Sequence, residues 1–422
     1  MGVRVLAWCL YDWAYSAFNT VITSFVFATY FVRAVASTPA SGAAQWAAAQ
    51  AIAGLIIAAL AAPLGAVADM GGRRRAMLVL FTIAMAGCTA SLWFVRPLAQ
   101  DVPRALILVA SATIAFEIAT VFYNAQLPEI AAPARLGRIS GLAWGFGYAG
   151  GLCCLALCLL LLITPNPPLF GLDPAQAEPV RACAVLAGLW ILAFAAPLLL
   201  QADPASMRLP WGRSIRAGLA GLYRSLESLR GNHRLGRFLL ARMLYTDGLT
   251  TLFAFGAIYA AGVMGMDAKG VLQLGIALNI SAGIGAAGFA WIEDRIGHRA
   301  TILICLFCTI ILSALVLLAK SPVLFWMFAL PLGVFVGPAQ AASRSLMAQL
   351  APAGERNAQF GLYALSGRVT GFAGPLALGA VTAATNSQRA GMLVILVLLA
   401  AGAALLARVN LESDPITSFA RN

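Results

Sequence analysis

The sequence predicts an all-α integral membrane protein: twelve transmembrane helices forming two pseudo-symmetric six-helix bundles around a central cavity. Three observations predict it. The 422-residue chain is 61% hydrophobic and only 10% charged, whereas a soluble domain carries roughly 25% charged residues. Apolar runs of about 20 residues, enough to cross a bilayer as helices, recur along its whole length. Finally, the second half of the chain weakly repeats the first.

The runs fall at 5–32, 45–68, 76–96, 103–127, 139–163 and 181–201, then at 236–262, 270–292, 300–319, 322–349, 357–384 and 388–408. The first is too long for the apolar core of a signal peptide, and Asp12 and Asn19 interrupt it. The predicted units are 1–201, an N-terminal six-helix bundle; 202–235, a linker; and 236–422, a C-terminal six-helix bundle.

Net charge is +12. In a soluble protein that would suggest nucleic acid. Here most of the basic residues, Arg73, Arg74, Arg75, Arg135, Arg138, Arg295 and Arg299 among them, fall on one side of the predicted topology. Cytoplasmic loops of membrane proteins carry such an excess. The charge therefore predicts topology, with both termini cytoplasmic and no nucleic-acid partner. In the linker, Ile215, Leu219, Leu222, Leu226 and Leu229 recur at helical spacing among Arg213, Arg216, Arg224 and Arg230. That pattern predicts an amphipathic helix on the anionic cytoplasmic leaflet, or a site for a partner protein.

Several chemistries are excluded or disfavoured. No Gly-x-x-x-x-Gly-Lys-Ser/Thr motif occurs, which rules out a self-contained P-loop motor. His233 and His298 both lie in loops. The Cys305-x-x-Cys308 pair and Cys153, Cys154 and Cys158 sit in apolar runs without the neighbours that would activate a thiol. The expectation is no enzyme, no metal and no cofactor.

The internal repeat is readable in the loops. Gly65-Ala-Val-Ala-Asp69-Met-Gly-Gly72-Arg73-Arg74 follows the second run, and Ala290-Trp-Ile-Glu-Asp294-Arg-Ile-Gly297-His-Arg299 follows the eighth. Gly141, Gly147 and Gly151 match Gly361, Gly367 and Gly371, and Asp12 matches Asp247. Parallel six-helix repeats are a recurring plan of secondary transporters, with the substrate site at their interface. The Gly65–Arg74 segment resembles the loop signature of the major facilitator superfamily, with Met70 where the signature has a basic residue. Leu10-Tyr-Asp-Trp-Ala-Tyr-Ser-Ala-Phe18 resembles the opening motif of the autophagy-related vacuolar amino-acid effluxer-like family, Tyr15 standing in place of a small amide. The resemblance implies transport by alternating access, amino acids as the leading substrate class, and efflux. It also implies that Gly65, Asp69, Gly72, Arg73 and Arg74, with Asp294 and Arg299 in a lesser copy, form a conformational latch. On charge alone, Arg73–Arg75 could simply anchor the loop to anionic lipid.

Candidate site residues come from polar stripes on apolar helices. At about 100° per residue, Asp12, Ser16, Asn19 and Thr23 fall within roughly 60° of one another, as do Thr113, Glu117, Thr120 and Asn124. Lipid cannot satisfy such a stripe, so it must face protein or a water-filled cavity. Asp247, Thr250 and Thr251 share a broader face, and Gln340 and Arg344 another. Glu117 and Arg368 should lie near the midplane, where a charge costs at least about 2.5 kcal/mol and is a functional candidate by default. They could brace the halves as a permanent pair. Alternatively, Glu117 takes a proton or a substrate amine and Arg368 an anionic group. Asp12 and Asp247 suit inner-gate pairing or proton coupling, with Arg344 the partner for an aspartate on a facing helix. Trp144 and Tyr148 line the site or pack beneath it.

The expectation is a monomeric, multi-pass protein of a bacterial inner membrane. It moves a small polar or zwitterionic solute, coupled to protons. An exporter of larger amphipathic compounds would call for an apolar, aromatic-rich cavity. A receptor or lipid-handling scaffold would show no ligand-driven movement.

Overall fold

The computed structural model describes residues 2–201, 210, 212–218, 220, 221, 223, 233–368, 370, 371 and 373–409. Among these the regular structure is helical. The first bundle contains α1 (Val3–Val35), α2 (Pro39–Gly71), α3 (Arg74–Phe94), α4 (Val102–Asn124), α5 (Pro133–Ile163) and α6 (Glu178–Leu199). The second contains α7 (His233–Gly262), α8 (Ala268–Ile296), α9 (His298–Leu318), α10 (Pro322–Leu350), the broken pair α11a (Arg356–Ser366) and α11b (Ala373–Thr385), and α12 (Gln388–Ala407).

Local chemistry sets the helix ends. Thr38 and Ser41 form a capping box at the start of α2, with Pro39 in its first turn, satisfying amide groups that have no partner within the helix. Gly72 ends α2 in the left-handed region at φ 58°. Gly297 separates α8 from α9 at φ 87°. These are equivalent positions of the repeat, and both use a conformation that glycine adopts without a Cβ penalty.

Three predicted spans differ from expectation, the fifth because it ends as π-helix over Cys158–Ile163. The first is not uniformly α-helical, because residues Phe18–Phe25 and Phe31–Val35 wind as π-helix. The eleventh, expected to be continuous over 357–384, is broken between Ser366 and Ala373 around Gly367 and Gly371.

The halves meet along two crossings, α2 with α11a and α5 with α8, while α10 also packs on α5. Among the described residues, polar contacts between halves lie at the level of Glu117 and Arg368 or nearer the end from which the linker leaves. The linker end is therefore shut. Of the linker itself, Ser214 is buried against Gly71, and a Cβ on Gly218 would come within 2.8 Å of Val67. Ile215 is exposed. Leu219, Leu222, Arg224, Leu226, Leu229 and Arg230, which carry the expected amphipathic stripe, lie outside the described residues.

Candidate functional site

Helices of both halves enclose a cavity of about 370 Å³. The α1 stripe contributes Asp12, Ser16 and Asn19, and α4 contributes Glu117, Thr120 and Asn124. Two members of the predicted stripes are elsewhere. Thr23 turns back to donate to the Asn19 carbonyl at 2.9 Å, and Thr20 and Ser24 line the cavity in its stead. The cause is the π-helical winding. Its i→i+5 bonding brings the fifth residue after Asn19 onto the cavity face instead of the fourth. Thr113 is buried away from the cavity.

At the cavity waist, an Arg368 guanidinium nitrogen donates to Glu117 Oε1. This joins α4 of one half to the residue beside the α11 break in the other. The side chains keep 36% and 15% of their exposure, so a solute in the cavity can reach both charges. Trp144 and Tyr148 line the same space, their rings 6.0 Å apart.

The cavity floor is the Arg344 cluster. Arg344 donates to Asp12 Oδ2 at 3.0 Å, to Asn124 Oδ1 at 3.4 Å, and to Ser140 Oγ and O at 2.9 and 2.8 Å. Its guanidinium stands 4.6 Å from the Trp8 ring centre. Trp8 and Tyr123 are stacked, and each donates to the other's carbonyl, at 3.1 and 2.9 Å. The Arg344 and Asp12 side chains are each 2% exposed. Two charges taken out of water need this many partners, because desolvation otherwise outweighs their attraction.

The α11 break is supplied with partners by α7. Arg242, at the cavity edge, donates to the Tyr363 carbonyl at 2.6 Å and Ser366 Oγ at 2.8 Å, its guanidinium 3.4 Å from the Tyr363 ring centre. It thereby caps the C-terminus of α11a, as a cation does favourably. Asp247 does not line the cavity. It is buried, 4% exposed, and its Oδ2 accepts the Gly374 N–H at 2.9 Å in the first turn of α11b. From the sequence, inner-gate pairing or proton coupling on a cavity-lining stripe is expected of it; here it lies behind the cavity surface instead. The interrupted α11 presents free amides there, and a carboxylate at a helix N-terminus answers them.

The latch residues divide. Asp69 holds no arginine of the other half. It accepts Asn357 N and Nδ2 at 3.2 and 2.6 Å and Ala358 N at 2.8 Å, at the start of α11a. Gly65 makes room for this, since a Cβ there would collide with the Asn357 carbonyl. Gly72 makes the turn that follows. Arg73 stands at the N-cap of α3. Arg74 pairs in its own half with both oxygens of Glu129, at 2.6 and 2.7 Å, and Arg356 of the other half stands 3.5 Å from Glu129 Oε1. Asp294 repeats the Asp69 arrangement in part, accepting Arg138 N of α5 at 3.0 Å, and adds an ion pair that Asp69 lacks, with Arg138 Nε 3.4 Å from its Oδ2. Arg299 does not. It donates to the Leu406 and Ala407 carbonyls of its own half, capping α12, and so is not part of a latch between halves.

Sequence reasoning missed Ser140, Asn357, Glu129 and Tyr363. Ser140 and Asn357 act largely through backbone atoms or short side chains and carry no pattern. Glu129 carried a usable signal, a lone carboxylate in a loop facing Arg74.

A family profile described as "Vacuole effluxer Atg22 like" matches residues 34–415. The chain is 26% identical over 423 residues to the "Uncharacterized MFS-type transporter YxiO" of Bacillus subtilis, covering 99% of this chain and 97% of that protein. It is 22% identical to "Autophagy-related protein 22" of Yarrowia lipolytica over 82% of this chain and 72% of the other. The match to "Autophagy-related protein 22-2" of Aspergillus clavatus spans 46% of that longer protein. Among solved structures, the fold is similar to the major facilitator superfamily transporter FucP in its outward conformation, with TM-score 0.72, 14% identity and 97% and 98% of the two chains covered. It is also similar to the human organic anion transporter MFSD10, with TM-score 0.69, 15% identity and 96% and 98% covered.

Proposed function

The chain belongs to the Atg22-like vacuole effluxer family of the major facilitator superfamily, and we propose, with that as premise, that it carries small zwitterionic solutes of the amino-acid class. It is a multi-pass membrane protein and a secondary transporter, not an enzyme. The single observation that carries the substrate class is the Glu117–Arg368 pair, two opposite charges from opposite halves, both reachable from the cavity. A solute bearing an amine and a carboxylate exchanges that pair for two of its own, amine to Glu117 and carboxylate to Arg368. No charge is then left alone in a low-dielectric site. Sugars offer neither charge, and a large amphipathic cation leaves Arg368 unanswered.

Alternating access follows from the crossings. Opening the linker end requires α11a to leave Asp69 and α5 to leave Asp294. Hydrogen bonds to charged groups are worth about 1.5–3 kcal/mol each, enough to favour the shut state without making it permanent. The proposal extends to a proton gradient as driving force, export as direction, a bacterial inner membrane with cytoplasmic termini, a monomer, and a basic linker resting on anionic lipid. The family description supports export; the distribution of arginines supports the topology.

Uptake by the purified protein in proteoliposomes tests this. Labelled neutral amino acids, a hexose and an amphipathic cation are compared with and without a pH gradient. Accumulation of amino acids alone is expected. Transport of the cation alone would favour an exporter of amphipathic compounds.

A further inference from the structure

At the end of the cavity away from Arg344, an aromatic ring bridges the two halves. Phe25 is the cavity-lining residue of α1 farthest along the chain from Asp12. Its ring lies against α8 at Gly275, where a Cβ would stand 3.0 and 3.2 Å from Phe25 Cε1 and Cζ. Phe116, beside Glu117, meets the rings of Tyr15 and Phe18. Phe25, more than a turn beyond Phe18, therefore lies past the Glu117–Arg368 pair. On the other side, α8 runs from Ala268 toward the linker end, where Asp294 meets Arg138. Asn279, one turn nearer that end than Gly275, still lines the cavity. The contact thus crosses the cavity mouth that faces away from the linker.

The ring is held differently at its base and its tip. The base belongs to the first half and packs against that half's buried cluster. The tip rests on α8 where glycine leaves the backbone bare. A phenylalanine ring offers no hydrogen bond, so dispersion holds the tip, and each atom pair adds very little. The Gly275 carbonyl is already taken by Asn279 Nδ2 at 2.8 Å. The linker end is closed quite differently, by contacts such as Arg344 with Asp12 and Asp69 with Ala358 N. Phe25 also ends the π-helical segment Phe18–Phe25, and Val26, at φ −99° and ψ −67°, separates it from the α-helical turn Phe27–Tyr30. The ring hangs from a junction between two windings, and π segments within α-helices often mark functional positions.

We propose that Phe25 is a lid over the substrate site, with Gly275 as its seat, and that the ring limits the length of solute the site accepts. Rotation of the side chain lifts the tip off α8 and opens the mouth while both bundles stay in place. A compact amino acid held at Glu117 and Arg368 fits beneath the ring. An elongated zwitterion such as a dipeptide, with the same two end charges set farther apart, meets it. This rests on the transporter reading of the cavity and adds to it a closure on the side away from the linker and a size limit.

The test uses the full-length protein in proteoliposomes. Asn19→Cys, at a cavity position deeper than Phe25, reports access to a charged, membrane-impermeant thiol reagent applied to one face or the other, and the protein without it gives the background of the native cysteines. A minor open state is populated up to about 10%, so removing the lid with Phe25→Ala should raise labelling from the face away from the linker by about tenfold. Phe25→Leu should give a smaller rise, a second reading should Phe25→Ala fold poorly. Labelling from the linker face should not change. With Asn19 intact, Phe25→Ala should raise uptake of alanyl-alanine relative to alanine by about tenfold, the lower end of what a pocket gains by admitting or rejecting a group. Unchanged labelling in both variants overturns the lid. So does a rise from both faces, which would mean that the bundles had loosened. A rise in labelling with no shift in the alanyl-alanine to alanine ratio overturns the size limit. If labelling behaves as expected and neither solute moves, the lid stands and the amino-acid reading falls.

Discussion

α5 and α11 occupy equivalent places in the two halves and carry glycines at the same spacing, yet only α11 breaks between its bundle contacts. On α5, Gly147 lies against Ser16, Gly150 against Trp13 and Gly151 against Thr20, so the helix is pressed onto α1. On α11, Gly361 lies against Ala61 and Ala62 of α2, but Gly367 meets the Arg242 guanidinium and Gly371 meets only its own backbone. Glycine lets two helices approach closely where an apolar neighbour is available. It lets a helix open where the neighbour instead offers groups that satisfy the freed amides and carbonyls. Arg242 and Asp247 offer them. The first half is thus built as a rigid wall, and the second carries the joint.

The largest effect expected from breaking this contrast is on the wall. Asp12→Ala leaves Arg344 charged and buried among α1, α5 and α10, and should cost about 3–5 kcal/mol of stability, read as a fall in the thermal unfolding midpoint of the detergent-solubilised protein. A cost below about 1 kcal/mol would mean that water reaches the cluster and that this wall is no more rigid than α11.

Next come the glycines themselves. Gly151→Ala on α5 forces a methyl into the Thr20 side chain and should cost about 1–3 kcal/mol. Gly371→Ala on α11 meets only backbone oxygens at ordinary contact distance, 3.6 Å or more, and should change stability by less than about 1 kcal/mol, favouring a continuous helix, while slowing transport measurably. Equal stability losses at the two positions would erase the distinction between wall and joint.

A smaller effect is expected at the latches. Asp69→Asn keeps one acceptor for the α11a amides and loses the charge, so about 1–2 kcal/mol of closure should go. Cysteine labelling at the linker end with an impermeant reagent would register it as increased accessibility. Arg299→Ala should leave that accessibility unchanged, since Arg299 caps a helix of its own half.

The least costly test concerns the wall's inner surface. Ser24→Cys should react with a small polar thiol reagent and Thr23→Cys should not, at no measurable cost in stability. Reaction at Thr23 in place of Ser24 would return α1 to ordinary α-helical register.

The spans and the charged waist were legible because an ionised side chain in an apolar run has few explanations. Asp12, Glu117, Arg344 and Arg368 stand out against lipid-compatible neighbours, and all four line the cavity. The α11 break was not legible. Its glycine spacing is that of α5, and what differs is the chemistry that α7 presents across the interface. The π-helical register of α1 is likewise absent from any periodicity computed at one fixed angle. Asp247 was misplaced because a carboxylate facing a cavity and one facing the first turn of a neighbouring helix look the same along the chain. Arg299 was misplaced because the repeat preserves position in the loop and not the partner.

Asp69 and Asp294 each bind a peptide N–H of the opposite half, Ala358 and Arg138 respectively. That choice of partner hides the Asp69–Ala358 contact from comparative genetics. Every residue but proline supplies the same amide, so the side chain at 358 is free to drift without a compensating change at Asp69, whereas Arg138 also brings its guanidinium Nε to 3.4 Å from Asp294 Oδ2. A suppressor screen started from a damaged Asp69 should accordingly return no allele-specific partner at 358, and the single-residue change there that removes the contact outright is Ala358→Pro.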